Sequence, residues 1–342
     1  MNNFMITPHS DWTIIKTLDM HTGGEPLRVV LEGFPKLEGN SVLEYRAYIK
    51  QYYDALRRAL ILEPRGHSDM YGVVVTPSSI GDFGVVFMHN EGYSTMCGHA
   101  IIAMVRLAVE AGWVPMVFPE TQLFIEAPCG LLTAYASIEA GAVTGVRFEN
   151  VPSYVVALDQ FIEIEGLGKV KYDLAYGGAF YAFVSAAEVG VSCAPGGYQE
   201  LISIGMKIKH AIMDSEVEIT HPFEDELSFL YGTIFIGEPM ASDADSRNVC
   251  VFAEGEVDRS PTGSGVSARM AIHYARGELK INEWMKIESI IGSHFRSCVK
   301  EIVPYGDYEA VIPVVEGMAY YTGKNEFWID PEDPFCEGFI LR

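Results

Sequence analysis

Two short segments of the chain resemble each other and differ at the residue best suited to chemistry. The first, Ser-Thr-Met-Cys-Gly-His-Ala, is centred on Cys97, and the second, Arg-Ser-Pro-Thr-Gly-Ser-Gly, is centred on Thr262. Aligning these two positions also aligns Gly98 with Gly263. A duplicated site with a thiol on one side and a hydroxyl on the other predicts an enzyme in which only one of two equivalent positions carries a side chain that can act as a base.

Cys97 stands where a thiol can act as a base. An ordinary thiol has a pKa of about 8.5, and the start of a helix lowers it. A free cysteine is more often a small buried core residue, but a loop-to-helix junction favours a catalytic role here. His99 follows two positions later, a pairing that also occurs in nucleophilic hydrolases. Because side chains at i and i+2 of a helix do not face each other, we expect His99 to contribute its backbone N–H.

The second segment, with Asp258 just upstream, combines a helix start with an acidic side chain. Pro261 suits the first turn of a helix, and Thr262, Gly263 and Ser264 place free N–H groups there. Asp258 is suited to hold a ligand ammonium group. A capped helix after a glycine-rich turn is the structural alternative, and the match to the Cys97 segment favours the functional one.

Other polar residues lie beside glycines and are further candidates for a site. His89 and Asn90 precede Cys97 closely in the sequence, so we place them ahead of His21 and Glu91 as lining residues. His221, in Thr-His-Pro, is an additional candidate for substrate binding. No phosphate-binding loop, dinucleotide fingerprint or metal-ligand pair is present in the sequence, so we expect no cofactor and no metal.

Composition narrows the class of protein. The 342 residues are 49% apolar and 20% charged, which is typical of a folded chain long enough for two domains. The net charge of −22 argues against binding nucleic acid or anionic membranes, which requires clustered Lys and Arg. Six cysteines without a Cys-x-x-Cys motif, no evident signal peptide and no long apolar run predict a cytoplasmic protein without a membrane span.

Alternating apolar residues and turn signals predict a strand-rich chain with few helices. The predicted helices are 43–59, 98–111, 198–211, 263–276 and 278–283. The predicted strands are 12–18, 27–31, 70–76, 84–88, 123–126, 131–136, 146–150, 154–158, 180–185, 216–220, 233–236, 250–252, 286–289, 296–303 and 310–315. Helices 98–111 and 263–276 are apolar on nearly all sides, so we expect each to be buried at the centre of its own domain.

The resemblance between the two halves extends beyond these helices. Gly23-Gly24 matches Gly177-Gly178, and Phe83-Gly84 matches Tyr231-Gly232, in the same order as the match of Cys97 with Thr262. Several matches in register favour an internal duplication. We predict a first domain of residues 1–150, joined by a C-terminal return of about 326–342, and a second domain of residues 151–325. A ligand site between the domains is expected.

At these residues the sequence resembles the proline racemase family. The matching motifs are Asp-Met-His-Thr-Gly-Gly-Glu-Pro-Leu-Arg-Val-Val from Asp19, His-Asn-Glu-Gly-Tyr-Ser-Thr-Met-Cys-Gly-His from His89, and Asp-Arg-Ser-Pro-Thr-Gly-Ser-Gly from Asp258. The likeness covers nearly the whole chain. It implies an α+β fold like that of diaminopimelate epimerase, with two pseudo-symmetric domains. Each would be a curved, barrel-like mixed β-sheet around a central helix, with the active site in the cleft.

The resemblance also implies the chemistry. Racemases and hydroxyproline epimerases of that family use two cysteines on opposite faces of the substrate α-carbon, without pyridoxal phosphate or metal. The first corresponds to Cys97, but Thr262 occupies the place of the second, and a Thr hydroxyl is far too weak an acid to replace a thiol. Threonine at this place marks the trans-3-hydroxy-L-proline dehydratases, and the chain resembles that subgroup.

By the same correspondence, two helix starts hold the substrate carboxylate and Asp258 holds the ring ammonium. Cys97 takes the α-proton, and the C3 hydroxyl leaves to give a pyrroline-2-carboxylate. The protonated Cys97, His89 or a water molecule are the alternatives for protonating that hydroxyl. The residues implied at the carboxylate are Gly98, His99, Gly263 and Ser264.

Three alternatives stand beside the dehydratase. One is a proline racemase or 4-hydroxyproline 2-epimerase in which a non-thiol group replaces the second cysteine. Another is a proline-type binding protein without turnover. A cysteine hydrolase is a third, although the sequence has no local signature of an oriented base. The sequence is compatible with a homodimer and does not decide the oligomeric state.

Overall fold

Strands and five helices account for most of the chain in the computed structural model, which describes residues 6–341. The strands of the first part are β1 (Thr13–Thr22), β2 (Glu25–Glu32), β3 (Gly72–Thr76), β4 (Phe83–Met88), β5 (Glu120–Ala127), β6 (Gly130–Glu139) and β7 (Ala142–Glu149). Those that follow are β8 (Tyr154–Ile164), β9 (Gly168–Tyr176), β10 (Phe180–Ser185), β11 (Leu230–Gly237), β12 (Ser246–Phe252), β13 (Glu256–Val257), β14 (Trp284–Glu288), β15 (His294–Tyr305), β16 (Tyr308–Gly317) and β17 (Ala319–Ile329). The helices are α1 (Val42–Tyr52), α2 (Asp54–Ile61), α3 (Gly98–Glu110), α4 (Tyr198–Met213) and α5 (Gly263–Ala275). No helix within residues 6–341 has both the length and the apolar character needed to cross a membrane.

The strands are hydrogen-bonded into one continuous mixed sheet with two similar halves. The first half runs in the order β17-β1-β2-β3-β4-β5-β6-β7, and the second runs β16-β15-β14-β12-β11-β10-β9-β8. Antiparallel pairing of β7 with β16 joins the two halves. The predicted α+β fold with two pseudo-symmetric parts is confirmed, and the described sheet remains open and does not close into a barrel.

Both halves use the same connections, which confirms the predicted duplication. In the first half, α1 and α2 connect the parallel pair β2 and β3, and α3 connects the parallel pair β4 and β5. In the second half, α4 connects β10 to β11, and α5 connects β12 to β14, again as parallel pairs. The Gly23-Gly24 and Gly177-Gly178 pairs occupy equivalent hairpin turns, between β1 and β2 and between β9 and β10.

One predicted match between the halves is wrong. Phe83-Gly84 begins β4, whereas Tyr231-Gly232 lies at the start of β11, and the topological equivalent of β11 is β3. The true counterpart of Tyr231-Gly232 is therefore Tyr71-Gly72, at the start of β3. Strands β3 and β4 are both short, buried and rich in β-branched residues, so the hydrophobic pattern alone does not distinguish them.

Helices α3 and α5 are the buried centres of the two halves, as predicted. Eleven of the 13 residues of α3 and ten of the 13 residues of α5 are buried. Each helix is followed by a glycine with positive φ, Gly112 at 74° and Gly277 at 71°. Glycine at this position ends a helix because it adopts the left-handed conformation without a Cβ clash.

Three predicted elements differ from the structure, and strands β9, β13 and β17 were not predicted. Helix 43–59 is two helices, because Tyr53 has φ −132° and ψ 19°, outside the helical range. Helix 278–283 is absent, since Gly277 ends α5 and the chain turns instead. Segment 216–220 is not a strand, and Val217 is exposed without a pairing partner strand. Strand β9 was overlooked, although Val170, Tyr172 and Leu174 alternate with charged residues as in a strand with one buried face.

The last strand returns to the beginning of the chain. Strand β17 pairs with β1 from Thr22↔Ala319 to Thr13↔Ile329. We propose that the first domain comprises β1 to β7 together with β17, so that its C-terminal part begins at Ala319 and not near position 326. Residues 1–5, where the predicted first domain begins and where a signal peptide was judged absent, lie outside the described residues, as does residue 342.

Candidate active site

The starts of α3 and α5 touch each other backbone to backbone. A Cβ atom built on Gly98 would lie 2.6 Å from the Cα of Gly263, and one built on Gly263 would lie 2.7 Å from the Cα of Gly98. Only glycine fits at either position without moving the backbone. The free N–H groups of two helix N-termini therefore converge on one place, which is a site suited to an anion.

A small cavity lies at this convergence. The structure brings together there seven of the residues that the sequence analysis selected: Cys97, Gly98, His99, Asp258, Thr262, Gly263 and Ser264. The remaining lining residues are Tyr71, Met96, Tyr181, Tyr231 and Phe252. No lysine or arginine is among the lining residues, so backbone N–H groups and the hydroxyl groups of the lining are the donors available to a bound carboxylate.

Cys97 and His99 contact each other through their side chains, which corrects the expectation that only the His99 backbone would take part. The distance from Cys97 Sγ to His99 Nδ1 is 3.1 Å. Cys97 is the residue before the helix and has extended backbone angles (φ −148°, ψ 102°), so the rule for helical i and i+2 positions does not apply. Burial lowers the pKa of His99 to about 3, which leaves the imidazole neutral beside the thiol.

The surroundings of the Cys97 thiol have opposing effects on its pKa. Burial raises its pKa well above the ordinary value, and the negative charges of Asp258 and Glu25 add to this. Hydrogen bonding from the Ala100 backbone and from the Tyr71 hydroxyl acts in the opposite direction. A ligand cation near Asp258 would neutralise one of the effects that keep the thiol protonated.

Thr262 adopts a backbone conformation that is uncommon for a β-branched residue. Its φ is 67° and its ψ is 92°, a region that costs such a residue steric energy. The Thr262 N–H donates to Ser260 Oγ over 3.2 Å, which helps to hold this turn. Thr262 Oγ1 lies close enough to Asp258 to lower the pKa of that carboxyl group, yet it is buried and has no partner with hydrogen-bond geometry. This hydroxyl is thus the counterpart, at α5, of the Cys97 thiol at α3.

Asp258 is a buried carboxyl group with few donors around it. Its Oδ1 accepts a hydrogen bond from the Ser260 N–H over 2.7 Å, and the side chain is almost entirely buried. Burial raises the pKa of Asp258 to about 6. A second buried carboxylate, Glu25, accepts from the Arg259 N–H over 2.6 Å and so ties β2 to the loop that carries Asp258.

Aromatic side chains form the walls of the cavity, and the sequence analysis missed them. Tyr71 and Tyr231 stand at equivalent places in the two halves, with 3.5 Å between their hydroxyl oxygens. Tyr181 bonds Ser264 Oγ over 2.7 Å, and Phe252 stacks on Tyr231 with 5.2 Å between ring centroids. The repeated Tyr-Gly pair at the starts of β3 and β11 was the signal that could have revealed Tyr71 and Tyr231.

His89 lies behind this wall and is not among the lining residues. Its ring packs against Tyr71, Tyr231 and Phe252, with centroid distances of 5.9, 5.7 and 6.2 Å. Its Nδ1 accepts from the Gly92 N–H over 3.2 Å. Burial and neighbouring cations lower the pKa of His89 well below its ordinary value, so it is a neutral packing residue.

The structure places His221 away from the cavity, contrary to its selection as a substrate-binding candidate. His221 Nε2 is 3.0 Å from the Tyr305 hydroxyl, and the ring lies against Tyr176. Its Nδ1 accepts from the Glu224 N–H over 3.0 Å. Nδ1 thus holds the local turn and Nε2 contacts Tyr305, so both ring nitrogens of His221 have partners without a ligand.

Three further candidates also lie outside the cavity lining. His21 stacks on Tyr320, with 5.4 Å between ring centroids. The Asn90 side chain donates to the Ser68 carbonyl over 3.0 Å. Glu91 pairs with Lys209 at 3.4 Å. Within residues 6–341, no group of three or more His, Cys, Asp or Glu side chains is arranged to hold a metal ion.

Comparison with known proteins assigns the chain to a family. The family model described as proline racemase matches residues 17–340. The chain belongs to the proline racemase family. The resemblance on which the sequence analysis relied is therefore confirmed, over nearly all of the chain.

Two relatives within the proline racemase family show which members the chain resembles. A trans-3-hydroxy-L-proline dehydratase of Colwellia psychrerythraea is 51% identical over 330 residues, covering 96% of this chain and 93% of the relative. A trans-3-hydroxy-L-proline dehydratase of Homo sapiens is 44% identical over 346 residues, covering 98% of each chain. The subgroup expected from the sequence is the one to which these relatives belong.

A solved structure of another member has the same fold. The hydroxyproline epimerase of Agrobacterium vitis, with bound trans-4-hydroxy-L-proline, superposes with a TM-score of 0.91. It is 31% identical in sequence, and the match covers 97% of this chain and 96% of that one. Members of one family thus share this fold while they carry names for different reactions.

Proposed function

We propose that this protein dehydrates trans-3-hydroxy-L-proline to a pyrroline-2-carboxylate without a cofactor. The observation that carries the proposal is the pairing of two touching helix starts, one with the thiol of Cys97 and the other with the hydroxyl of Thr262. Relatives with 44–51% identity over nearly the full length are named for this reaction.

The substrate carboxylate is held at the converging helix starts. The first N–H groups of α3 and α5 have no partner within their own helices, and both helix dipoles present positive charge at this point. Gly98 and Gly263 allow a ligand to approach the backbone, and His99 and Ser264 supply the next N–H groups. The same positive ends stabilise the enolate-like charge that develops when the α-proton leaves.

The ring ammonium group is held by Asp258. A pKa of about 6 leaves this carboxyl group mainly ionised at neutral pH, in a buried place where no positive side chain lines the cavity with it. Ser260 donates a hydrogen bond to this carboxylate, but no cation in the lining faces it, so an ammonium group there is favoured. Bound substrate also offsets the effect of the Asp258 charge on Cys97, and this favours the thiolate.

Cys97 is the base that removes the α-proton. The thiolate accepts hydrogen bonds from the Ala100 backbone and the Tyr71 hydroxyl, both of which lower its pKa. Thr262 faces the α-carbon from the other helix start. Because its hydroxyl is neither a strong acid nor a base near neutral pH, it does not deliver a proton to the second face of the carbanion.

Substrate stereochemistry selects among the groups proposed to protonate the leaving hydroxyl. In trans-3-hydroxy-L-proline, the C3 hydroxyl and the α-hydrogen both lie on the ring face opposite the carboxylate. A base that reaches the α-hydrogen therefore also faces the hydroxyl. Cys97, protonated by the first step, returns that proton to the hydroxyl, and water leaves as the C2–C3 double bond forms. His89 does not fit this role because it is neutral and lies behind Tyr71 and Tyr231.

A substrate panel tests the proposal. Purified protein is incubated with L-proline, trans-3-hydroxy-L-proline and trans-4-hydroxy-L-proline, and both cyclic imine formation and optical rotation are followed. We expect imine from the 3-hydroxy compound alone, with no inversion of any substrate. Inversion of proline or 4-hydroxyproline without imine formation would instead establish the racemase or epimerase alternative.

We also propose a cytoplasmic location and a homodimer. All six cysteines are unpaired, five of them buried, which suits a reducing compartment. Cell fractionation tests the location, and light scattering of the purified protein tests the dimer. Recovery in an oxidising compartment, or a monomeric mass, would contradict the respective proposal.

A further inference from the structure

Three tyrosines line the active-site cavity, and their hydroxyl groups have different partners. The Tyr181 hydroxyl bonds Ser264 at the start of α5, on the side of Thr262. The Tyr71 hydroxyl hydrogen-bonds Ser94 Oγ and lies 3.5 Å from the Tyr231 hydroxyl. Ser94 precedes Cys97 by three residues, and the Tyr71 ring lies 4.9 Å, between ring centroids, from His99, whose Nδ1 is 3.1 Å from Cys97 Sγ. The Tyr71 hydroxyl also lowers the pKa of the thiol. Tyr71 is thus the tyrosine whose hydroxyl shares the face of the cavity occupied by the thiol.

The reaction requires a polar contact on that same face. When Cys97 removes the α-hydrogen, the C3 hydroxyl lies on the Cys97 side of the ring, one carbon further along. The cavity lining includes the apolar side chains of Met96 and Phe252, and the ring of His99 is already in contact with Cys97 Sγ. A substrate hydroxyl buried in this lining without a partner would bind less tightly, so the site needs a further hydrogen-bonding group on the side of the thiol.

We propose that Tyr71 binds the C3 hydroxyl of the substrate and is the residue that selects a 3-hydroxylated ring for elimination. The inference rests on the proposed function and adds to it the group that recognises the leaving hydroxyl. Ser94 and Tyr231, through their contacts with the Tyr71 hydroxyl, orient it. Ser94 is fully buried, so this orientation is fixed before substrate binds.

Tyr71 and Cys97 have different roles in the elimination step. The Cys97 thiolate takes the α-proton, the electrons of the C–H bond form the C2–C3 double bond, and the C3–O bond breaks. The proton on sulfur passes to the departing oxygen, which gives water and restores the thiolate. Burial raises the pKa of Tyr71 well above its ordinary value, so Tyr71 keeps its proton. Its one O–H donates to the thiolate at first and, once sulfur carries the α-proton, to the departing oxygen.

The test separates elimination from α-proton removal. Tyr71→Phe removes one hydroxyl and keeps the ring that packs against Phe87 and His99. Two reactions are measured with each protein: imine formation from trans-3-hydroxy-L-proline, and incorporation of solvent deuterium at the α-carbon of L-proline. Proline lacks the C3 hydroxyl, so its exchange requires Cys97 but not the proposed contact. Tyr181→Phe is the matched control, since it removes a hydroxyl from the opposite wall of the same cavity.

We expect Tyr71→Phe to lower kcat/KM for dehydration by about 100-fold, the usual effect of losing one donor to a group that gains charge in the transition state. Deuterium exchange into proline should fall by a smaller factor, about tenfold, because only the hydrogen bond from Tyr71 to the thiolate is lost in that reaction. Tyr181→Phe should change both reactions by similar factors. Equal losses of dehydration and exchange in Tyr71→Phe, or full dehydration, would overturn the inference. A wild-type protein that exchanges proline but never forms imine would instead refute the proposed function.

Discussion

A methyl group added at the contact between the two helix starts should lower activity although it changes none of the catalytic side chains. In Gly98→Ala, the new Cβ lies 2.6 Å from the Cα of Gly263, whereas ordinary van der Waals contact begins at 3.4 Å. The obstructing atom belongs to the backbone, so no side-chain rotation can relieve the clash. The helix starts must separate by about 0.8 Å, the difference between 3.4 and 2.6 Å.

The size of the effect follows from that displacement. The two helices hold the same carboxylate from two sides and present Cys97 to the α-carbon, so a shift of nearly 1 Å misaligns both functions. A misplacement of about 1 Å can cost about 10²-fold in rate, and overpacking in a tight core typically costs about 1–3 kcal/mol of stability. We therefore expect kcat/KM for dehydration to fall by about 10- to 100-fold, with a lower melting temperature.

The assay is imine formation coupled to a reductase, combined with thermal unfolding followed by circular dichroism. Gly263→Ala should behave like Gly98→Ala, because its Cβ would lie 2.7 Å from the Cα of Gly98. Gly196→Ala is the matched control: a Cβ at this exposed position meets nothing within 4 Å. If Gly98→Ala retained wild-type kcat/KM and an unchanged melting temperature, the close contact of the two helix starts would not be needed for activity.

The remaining predictions concern the chemical groups themselves. Cys97→Ser should lower dehydration by about 10²–10⁴-fold, because a hydroxyl is a far weaker base than a thiolate, while circular dichroism stays unchanged; full activity would exclude Cys97 as the base. Thr262→Cys should gain slow racemisation of L-proline, measured by optical rotation, since a thiol at that place can protonate the second face; a variant that still exchanges deuterium but never inverts proline would contradict this. Asp258 binds an ammonium group only as the carboxylate, so kcat/KM should fall as the pH drops through about 6, the raised pKa of this group. Asp258→Asn should remove this pH dependence from a much weaker activity, and an unchanged acidic limb in that variant would assign it to another group.

Much of the fold was predictable because it rests on local patterns. The apolar sequences of α3 and α5 indicated two buried helices, and the glycines after them indicated where they end. Segment 278–283 was wrongly predicted to be helical, because the positive φ of Gly277 reverses the chain there. Strand β9 was overlooked although its alternation of apolar and charged residues was a local signal, whereas its register with β8 and β10 is a tertiary property that its own sequence does not specify.

The part of the candidate site that occurs in both halves of the chain was predictable from the sequence. The segments around Cys97 and Thr262 match each other, and the cavity contains both. The match of Tyr71 with Tyr231 was overlooked because β11 was aligned with β4 and not with β3. His221 was selected for its residue type alone, and its ring nitrogens are used by a local turn and Tyr305.

The sequence by itself determined which chemical groups the candidate site contains: one thiol, one hydroxyl, one acidic side chain and two helices that each begin with glycine. These features lie within a few residues of each other in two segments, so local backbone preferences are enough to define them. Only the tertiary structure decided that Gly98 and Gly263 touch, that three tyrosines close the cavity and that His99 contacts the thiol. These contacts join residues from opposite halves of the chain or depend on the extended backbone of Cys97. They arise because the pairing of β7 with β16 unites the two halves, and packing then excludes every residue but glycine at their point of contact.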